Sequence, residues 1–182
     1  MNTVIELLQN RVSSPKLTAP APNSAELEQI LACAVRAPDH ARLKPWQFHV
    51  ISGQALSKLG EIFARAVGEG VAQDKLDKCR NMPLRAPLMI VATCEPQENA
   101  KVPALEQFLA VGAAIQNMQV AISSLGYGSI WRTGEMAHLS EVKDAFGLSS
   151  AGEIVGFIYV GTPEKLPSKP VTNLSDCVKY WD

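Results

Sequence analysis

The chain has 182 residues, 47% of them hydrophobic, and a formal net charge of -1 at pH 7. This supplies enough apolar material for one domain with a real core, while the near-zero charge and the lack of a basic stripe argue against nucleic acid as a partner. The four cysteines and three histidines share no metal-ligand spacing, and no signal-peptide pattern precedes the first predicted helix. We therefore expect a cytoplasmic protein with free thiols and no metal site.

The first predicted element is a short amphipathic helix that ends in a polar, cationic turn. Its apolar residues are Val4, Ile5, Leu7, Leu8 and Val12. The turn, residues 11–16, contains an arginine, two serines and a lysine, and this composition can hold a phosphate through charge-assisted hydrogen bonds. A solvated helix end is the alternative interpretation.

The second predicted helix begins with a capping box and is stopped by a proline. Asn23 and Glu26 have the spacing of the box, and Pro38 disfavours helical geometry at Ala37, where we expect the helix to end. Cationic side chains then follow on a stiff turn beside an aromatic residue, which suits an anionic, planar ligand. The cationic side chains are Arg36, His40 and Arg42, and the aromatic residue is Trp46. The alternative interpretation is that the cations only compensate the helix dipole.

Apolar runs then predict strands, and segments with helical spacing predict further helices. The predicted strands are 47–51, 88–92, 127–131 and 154–160, and the predicted helices are 56–67, 71–81, 104–125 and 139–146. The helix 104–125 is apolar around most of its circumference, which predicts burial, while its glutamines and asparagine argue against a membrane. No repeat or linker divides the chain.

The C-terminal tail has little periodicity and yet ends in large apolar residues. Pro163, Pro167 and Pro170 interrupt it, and Tyr180 and Trp181 stand near its end. Such side chains require burial, either against a partner or against the tail's own domain.

The motifs Arg11-x-Ser13, 36–40, Pro45-Trp46 and 131–134 resemble the nitroreductase family, and they stand in the family's order. Further landmarks that agree are Arg85-Ala86-Pro87, Lys101-Val102-Pro103 and Val155-Gly156-Phe157. The resemblance implies an α+β, nitroreductase-like fold with a central antiparallel or mixed sheet, flanking helices and a long buried central helix. It also implies an intertwined homodimer of single domains, residues 1–182, in which the tail from about residue 162 reaches the partner subunit.

This resemblance further implies an oxidoreductase with FMN at the subunit interface. Hydride would pass from NADH or NADPH through the flavin to a nitroaromatic, a quinone or a similar planar acceptor, in ping-pong order. No glycine-rich dinucleotide fingerprint is present, because Gly126-Tyr127-Gly128 lacks a third glycine and follows a helix. Ene reduction, dehalogenation and non-catalytic flavin binding remain alternatives.

Residue roles carry over from the family position by position. Arg11 and Ser13 would hold the FMN phosphate and ribityl chain, with Val12 between them, and the partner subunit's Arg36 and His40 would reach the same FMN. Flavin N5 is the reactive centre, so no catalytic side chain is assigned. The ring would be lined by Trp131, Arg132 and Thr133, its negative charge would face Arg36 and Lys16, and NAD(P)H would contact Ala121, Ile122, Ser123, Ser124, Leu125 and Gly126.

Val12 departs from the family pattern, which has an arginine or a histidine between the arginine and the serine. If that side chain normally touches phosphate, FMN should bind more weakly here. Alternatively, Val12 faces the core, since Val4, Leu8 and Val12 lie on one stripe of the first helix.

Overall fold

A five-stranded antiparallel sheet, with helices on both faces, organises the chain. The computed structural model describes residues 3–165, 167–169, 171 and 173–181. The strands are β1 (Leu17–Thr18), β2 (Trp46–Ser52), β3 (Leu88–Cys94), β4 (Gly128–Arg132) and β5 (Glu153–Pro163). The α-helices are α1 (Thr3–Asn10), α2 (Ser24–Ala34), α3 (Gln54–Ala66), α4 (Gln73–Asn81), α5 (Ala104–Ser124) and α6 (Ser140–Ala145), and short 3-10 turns occupy His40–Arg42, Pro83–Arg85, Glu135–Ala137 and Leu174–Asp176.

The sheet is built around β5, which is paired along both of its edges. One edge of β5 pairs with β3, which in turn pairs with β2. The other edge pairs with two strands, β4 along residues 157–161 and β1 along residues 162–163. Beside Ala92 and Thr93 the register shifts, so that Val155 of β5 has no partner residue on β3. Such a bulge bends the strand and re-aims a nearby group.

Both faces of the sheet are covered, as the continuous apolar character of β3 requires. All seven residues of β3 are buried. Met89 and Val91 pack with α3 and α6 in one core, whereas Ile90 and Ala92 pack with α2 and α5 in the other. The alternation of side chains along each strand therefore decides which core, and which surface, every strand residue faces.

The predicted helices and strands are confirmed, with small shifts of their ends and two larger differences. The capping box forms as expected, because the Asn23 side chain accepts a hydrogen bond from the Glu26 amide and the Glu26 side chain accepts one from the Asn23 amide. However, α2 ends at Ala34, and the chain continues to Ala37 in tighter turns. The two-residue β1 was not predicted, since two residues carry no periodicity.

The long helix α5 is buried on one side only. Its inner face packs into the core of α2 and the sheet, but Leu105 and Leu109 in its first half are 68% and 64% exposed. Among the described residues, no helix is both long enough and apolar enough to cross a lipid bilayer.

His49 on β2 makes the stability of the fold depend on pH. Its half-buried ring lies 4.9 Å from the Phe146 ring between centroids, and burial lowers the pKa of His49 below its ordinary value of 6.5. The unfolded chain binds the proton on His49 more readily than the folded chain does, so protonation favours unfolding. The stability that the neutral, half-buried His49 allows is therefore fully present above about pH 6.5 and declines as the pH falls below it. We expect the free energy of unfolding in urea to drop between about pH 7.5 and about pH 5.5, and His49→Gln to flatten that profile. His138→Gln, at an exposed site, is the control, and an equally steep profile in His49→Gln would contradict the assignment.

Candidate functional site

Arg11 lies in a cleft between the end of α1 and the end of α5. The loop that carries it is tied to β4, because the Ser14 amide donates a hydrogen bond to the Ser129 carbonyl at 2.9 Å. The cleft has a volume of about 220 Å³ and is also lined by Leu7, Asn10, Val12, Ser14, Ser123, Gly126, Tyr127 and Gly128.

The guanidinium of Arg11 is the unusual group in this cleft. Its Nη1 atom is buried and has no hydrogen-bond partner among the described residues. A buried, unpaired donor of this kind costs free energy, more when it carries charge, and natural proteins rarely retain one without a use. An anionic ligand in the cleft would supply the missing acceptor.

The neighbours of Arg11 are placed differently from one another. Val12 is half-buried and lines the cleft, whereas Ser13 is exposed. Val4 and Leu8 are exposed as well, so the stripe through Val12 does not face the core of this chain. Lys16 is exposed just before β1, and its carbonyl accepts a hydrogen bond from the Glu164 amide.

Arg36 lines a second, larger cavity beyond the end of α2. Its volume is about 740 Å³, and the cations Arg36, Arg42 and Lys44 line it together with Asp39 and Trp46. The loop is strained, because Ala41, Arg42 and Lys44 adopt left-handed φ angles of 60°, 57° and 51°. Such strain in residues other than glycine is concentrated at functional sites.

His40 is held at the beginning of α5. Its Nδ1 atom lies 2.6 Å from Oε2 of Glu106, in the first turn of the helix. Glu106 and Ser123, which lines the Arg11 cleft, are seventeen residues apart on α5, or about 25 Å at 1.5 Å per residue. His40 and Arg11 of one chain are therefore at opposite ends of the helix, too far apart for one phosphate or one ring to contact both.

Trp131 and Arg132 project from opposite faces of β4, as neighbouring strand residues must. The Trp131 indole lies over Gly156, and its Nε1 donates a hydrogen bond to the Val155 carbonyl at 3.1 Å, at the bulge of β5. Arg132 instead lines a third cavity, of about 340 Å³, together with Thr133 and Gly134. The structure thus places Arg132 and Thr133 in one cavity and Trp131 on the other side of the sheet.

The segment 121–126 at the end of α5 is only partly accessible. Ser123 and Gly126 line the Arg11 cleft, while Ile122 is fully buried in the core and Ala121 and Leu125 pack against it. Its side chains therefore present little surface to a dinucleotide, and the cleft itself is smaller than typical ligand pockets of about 300–1,000 Å³.

Three polar residues of these sites were not assigned from the sequence. Glu106 gave no signal beyond its place in a helix. Tyr159 lies inside an apolar strand and was indistinguishable from core, although it lines the third cavity. Arg85, in the same cavity, belongs to the motif Arg85-Ala86-Pro87, in which the sequence gives the arginine no role of its own. Among the described residues, no cluster of three potential metal-ligating side chains is present.

Comparison with known proteins gives consistent matches over most of the chain. The family model described as "Nitroreductase family" matches residues 8–162. The protein named "Putative NAD(P)H nitroreductase YdjA" from Escherichia coli (strain K12) is 41% identical over 161 residues, which is 88% of this chain and 88% of that protein.

A nitroreductase-like family protein from Bacillus cereus has a TM-score of 0.89 at 22% identity, covering 100% of this chain and 97% of that one. A nitroreductase from Desulfitobacterium hafniense DCB-2, solved with bound FMN, has a TM-score of 0.73 at 19% identity and covers 100% of both chains. The expected fold is confirmed.

Proposed function

The chain belongs to the nitroreductase family, and we propose that it is an FMN-dependent oxidoreductase that uses NADH or NADPH to reduce a nitroaromatic, a quinone or a similar planar electrophile. The observation that supports a bound FMN concerns Arg11, whose buried Nη1 has no hydrogen-bond partner among the residues described. The FMN phosphate is an acceptor of the required charge and size. The name of the Escherichia coli relative and the FMN in the Desulfitobacterium hafniense structure support the same reading.

The residues around Arg11 fit a phosphate. The exposed Ser13 hydroxyl is available as a second donor, and Val12 adds an apolar wall without competing for the phosphate. Because Val12 replaces a cation of the family pattern, Arg11 carries the electrostatic attraction at this end.

The ring would be held further along β4. Bound FMN would supply the redox chemistry, accepting hydride from the nicotinamide and passing it to the acceptor. Arg132 and Thr133 line one cavity at the end of the strand, and Thr133 offers a hydroxyl there. Trp131, whose orientation is fixed by its hydrogen bond to Val155, lies on the other face of the sheet and would support the strand that carries both residues. For the nicotinamide nucleotide, Ser123, Ser124 and Gly126 are the members of segment 121–126 that are not packed into the core.

We propose that the active form is a homodimer in which the partner subunit's Arg36 and His40 approach the Arg11 cleft. One chain separates His40 from Arg11 by most of the length of α5, so only a second chain can bring them to one cofactor. The chain also exposes apolar side chains that a partner would cover: Val4, Ile5 and Leu8 on α1, Leu105 and Leu109 on α5, and Leu174, Tyr180 and Trp181 in the tail.

Deletion of the tail after Asn173 is expected to weaken the dimer and the retention of FMN together. Trp181 is 95% exposed in the single chain, so its own domain does not bury it and a subunit interface would. Sedimentation velocity gives the oligomeric state, and the flavin-to-protein absorbance ratio gives the loading. Lys179→Ala in the full-length chain is the control for a surface change in the same segment. A truncated protein that remains a flavin-loaded dimer would contradict the role of the tail.

Anaerobic mixing with NADH and with NADPH tests the proposed activity. Rapid bleaching of bound flavin by either nucleotide is expected, and its absence would indicate a flavin-binding protein without turnover. A screen of nitroaromatics, quinones, activated alkenes and aryl halides against the reduced protein then separates nitro or quinone reduction from ene reduction and dehalogenation.

A further inference from the structure

The loop that carries His40 is held against the beginning of α5 by polar contacts. Nδ1 of His40 lies 2.6 Å from Oε2 of Glu106. The Gln97 side chain donates a hydrogen bond to the Leu43 carbonyl at 2.6 Å, and Gln97 is itself fixed by the buried Gln107 side chain, which accepts from its amide and donates to its carbonyl. These contacts keep the strained, left-handed backbone of the loop in one conformation, so its side chains are preorganised.

The contact with Glu106 decides which nitrogen of His40 is free to bind a ligand. An ionised carboxylate only accepts hydrogen bonds, so Nδ1 of His40 carries the proton that it donates to Oε2 of Glu106. Nε2 has no hydrogen-bond partner in the described part of the chain. It can therefore donate a hydrogen bond only when the ring is the doubly protonated imidazolium.

The charges near His40 show what Glu106 contributes to that form. Three cations of the same loop lie within four positions of His40 and oppose a further positive charge. The carboxylate of Asp39 is engaged by the Lys44 amide, whereas that of Glu106 contacts the ring directly. Glu106 therefore supplies the negative charge that offsets an imidazolium. The charged groups of the loop are Arg36, Asp39, Arg42 and Lys44, and Glu106 faces the ring from α5.

The pair is open to solvent in the single chain, at a place where a partner subunit would cover it. The side chains of His40 and Glu106 are 57% and 45% exposed, and Leu105 and Leu109 expose apolar surface beside Glu106 on α5. An exposed ion pair contributes little to stability, whereas the removal of water strengthens the same attraction. The effect of Glu106 should therefore be found in ligand binding and not in the stability of the ligand-free chain.

We propose that Glu106 is a positioning residue that holds His40 as an imidazolium, with its Nε2–H donating to the phosphate of an FMN bound across the subunit interface. The phosphate is the group of FMN whose charge suits the cations of this loop. A neutral ring with its proton on Nδ1 would instead turn the lone pair of Nε2 toward an anion. The inference rests on the proposed function, because it takes FMN as the ligand.

Nitrogen-15 NMR of the full-length chain with labelled histidines tests the position of the proton. The chain has three histidines, so His40→Gln identifies the signals of His40. At about pH 8, above the ordinary titration of histidine, we expect the neutral ring without FMN to carry its proton on Nδ1. In Glu106→Gln the Nε2–H form should appear as well, because an amide can donate as well as accept. Added FMN should raise the imidazolium fraction of His40 in the unmodified chain and not in Glu106→Gln.

Titrations with FMN and with riboflavin, which lacks the phosphate, measure the effect on binding. Glu106→Gln should weaken FMN at least about fivefold and leave riboflavin within about twofold. The same change should have no further effect in a chain that already carries His40→Gln. Glu141→Gln is the matched control, because Glu141 also lies in the first turn of a helix and pairs with an exposed cation, Arg65. Urea unfolding without FMN should give the two glutamine variants the same free energy of unfolding.

Four results would count against these assignments. A proton on Nε2 of neutral His40 in the unmodified chain, or equal FMN affinities of Glu106→Gln and Glu141→Gln, would overturn the role of Glu106. A Glu106→Gln effect that persists in the His40→Gln chain would show that Glu106 does not act through His40. An equal loss of riboflavin affinity would exclude the phosphate contact. Absent FMN binding by the unmodified chain would instead refute the proposed function, and the FMN contact with it, whichever nitrogen of His40 is protonated.

Discussion

Arg11→Ala is expected to yield a folded protein that retains FMN at least about tenfold less well, because the change removes a charge-assisted contact of about 1.5–3 kcal/mol to the phosphate. The same change should not lower the stability of the ligand-free chain. The Arg11 Nη1 atom is buried and has no partner in the part of the chain that the structure describes, so its removal relieves a desolvation cost instead of breaking a hydrogen bond. Flavin affinity should thus fall, while the free energy of unfolding of the ligand-free chain should not.

The measurement combines the flavin-to-protein ratio, FMN titration by fluorescence quenching, and urea unfolding without added FMN. Arg65→Ala removes an exposed arginine that is hydrogen-bonded to Glu141, away from the cleft, and serves as the control for loss of charge. Arg11→Lys should recover part of the affinity, since a single ammonium can bind phosphate but not in the bidentate manner of a guanidinium. An unchanged flavin content in Arg11→Ala would exclude Arg11 from phosphate binding.

Gly156→Ala is expected to destabilise the fold by about 2–3 kcal/mol and to disturb FMN binding at the same time. A Cβ atom at Gly156 would lie 1.9 Å from Nε1 and 2.4 Å from Cδ1 of Trp131, so the indole has to move. Its hydrogen bond to the Val155 carbonyl would then break. The absence of a side chain at position 156 therefore lets the pyrrole edge of Trp131 approach the backbone of β5.

Gly112→Ala is the matched control, since it adds a methyl group toward the same indole from the other side. There the new Cβ would lie 3.8 Å from Cη2 of Trp131, an ordinary contact, and alanine favours the helix interior by about 1 kcal/mol. Urea unfolding followed by tryptophan fluorescence distinguishes the two variants. If Gly156→Ala were as stable as Gly112→Ala, with an unchanged emission spectrum, the close packing of Trp131 on β5 would be refuted.

Local signals in the sequence predicted most of the fold correctly. The capping box of Asn23 and Glu26 depends on residues three positions apart, so its geometry is fixed once the helix begins. The continuous apolar run of β3 likewise required cover on both faces, and α2, α3, α5 and α6 provide it. By contrast, β1 exists only because Leu17 and Thr18 meet the far end of β5. No local pattern of two residues contains that information.

The sequence by itself determined the helices, the longer strands and the identity of the polar groups that could bind an anion, because periodicity, caps and residue chemistry act over a few neighbouring positions. Only the tertiary structure decided that Nη1 of Arg11 is buried without a partner among the described residues, that His40 stands at the opposite end of α5 from Arg11, and that Trp131 packs against Gly156. Those facts depend on contacts between residues far apart in the chain. Arg85, Arg132 and Tyr159 come from three separate elements, and the packing of those elements against the sheet, rather than any spacing along the chain, brings their side chains into one pocket.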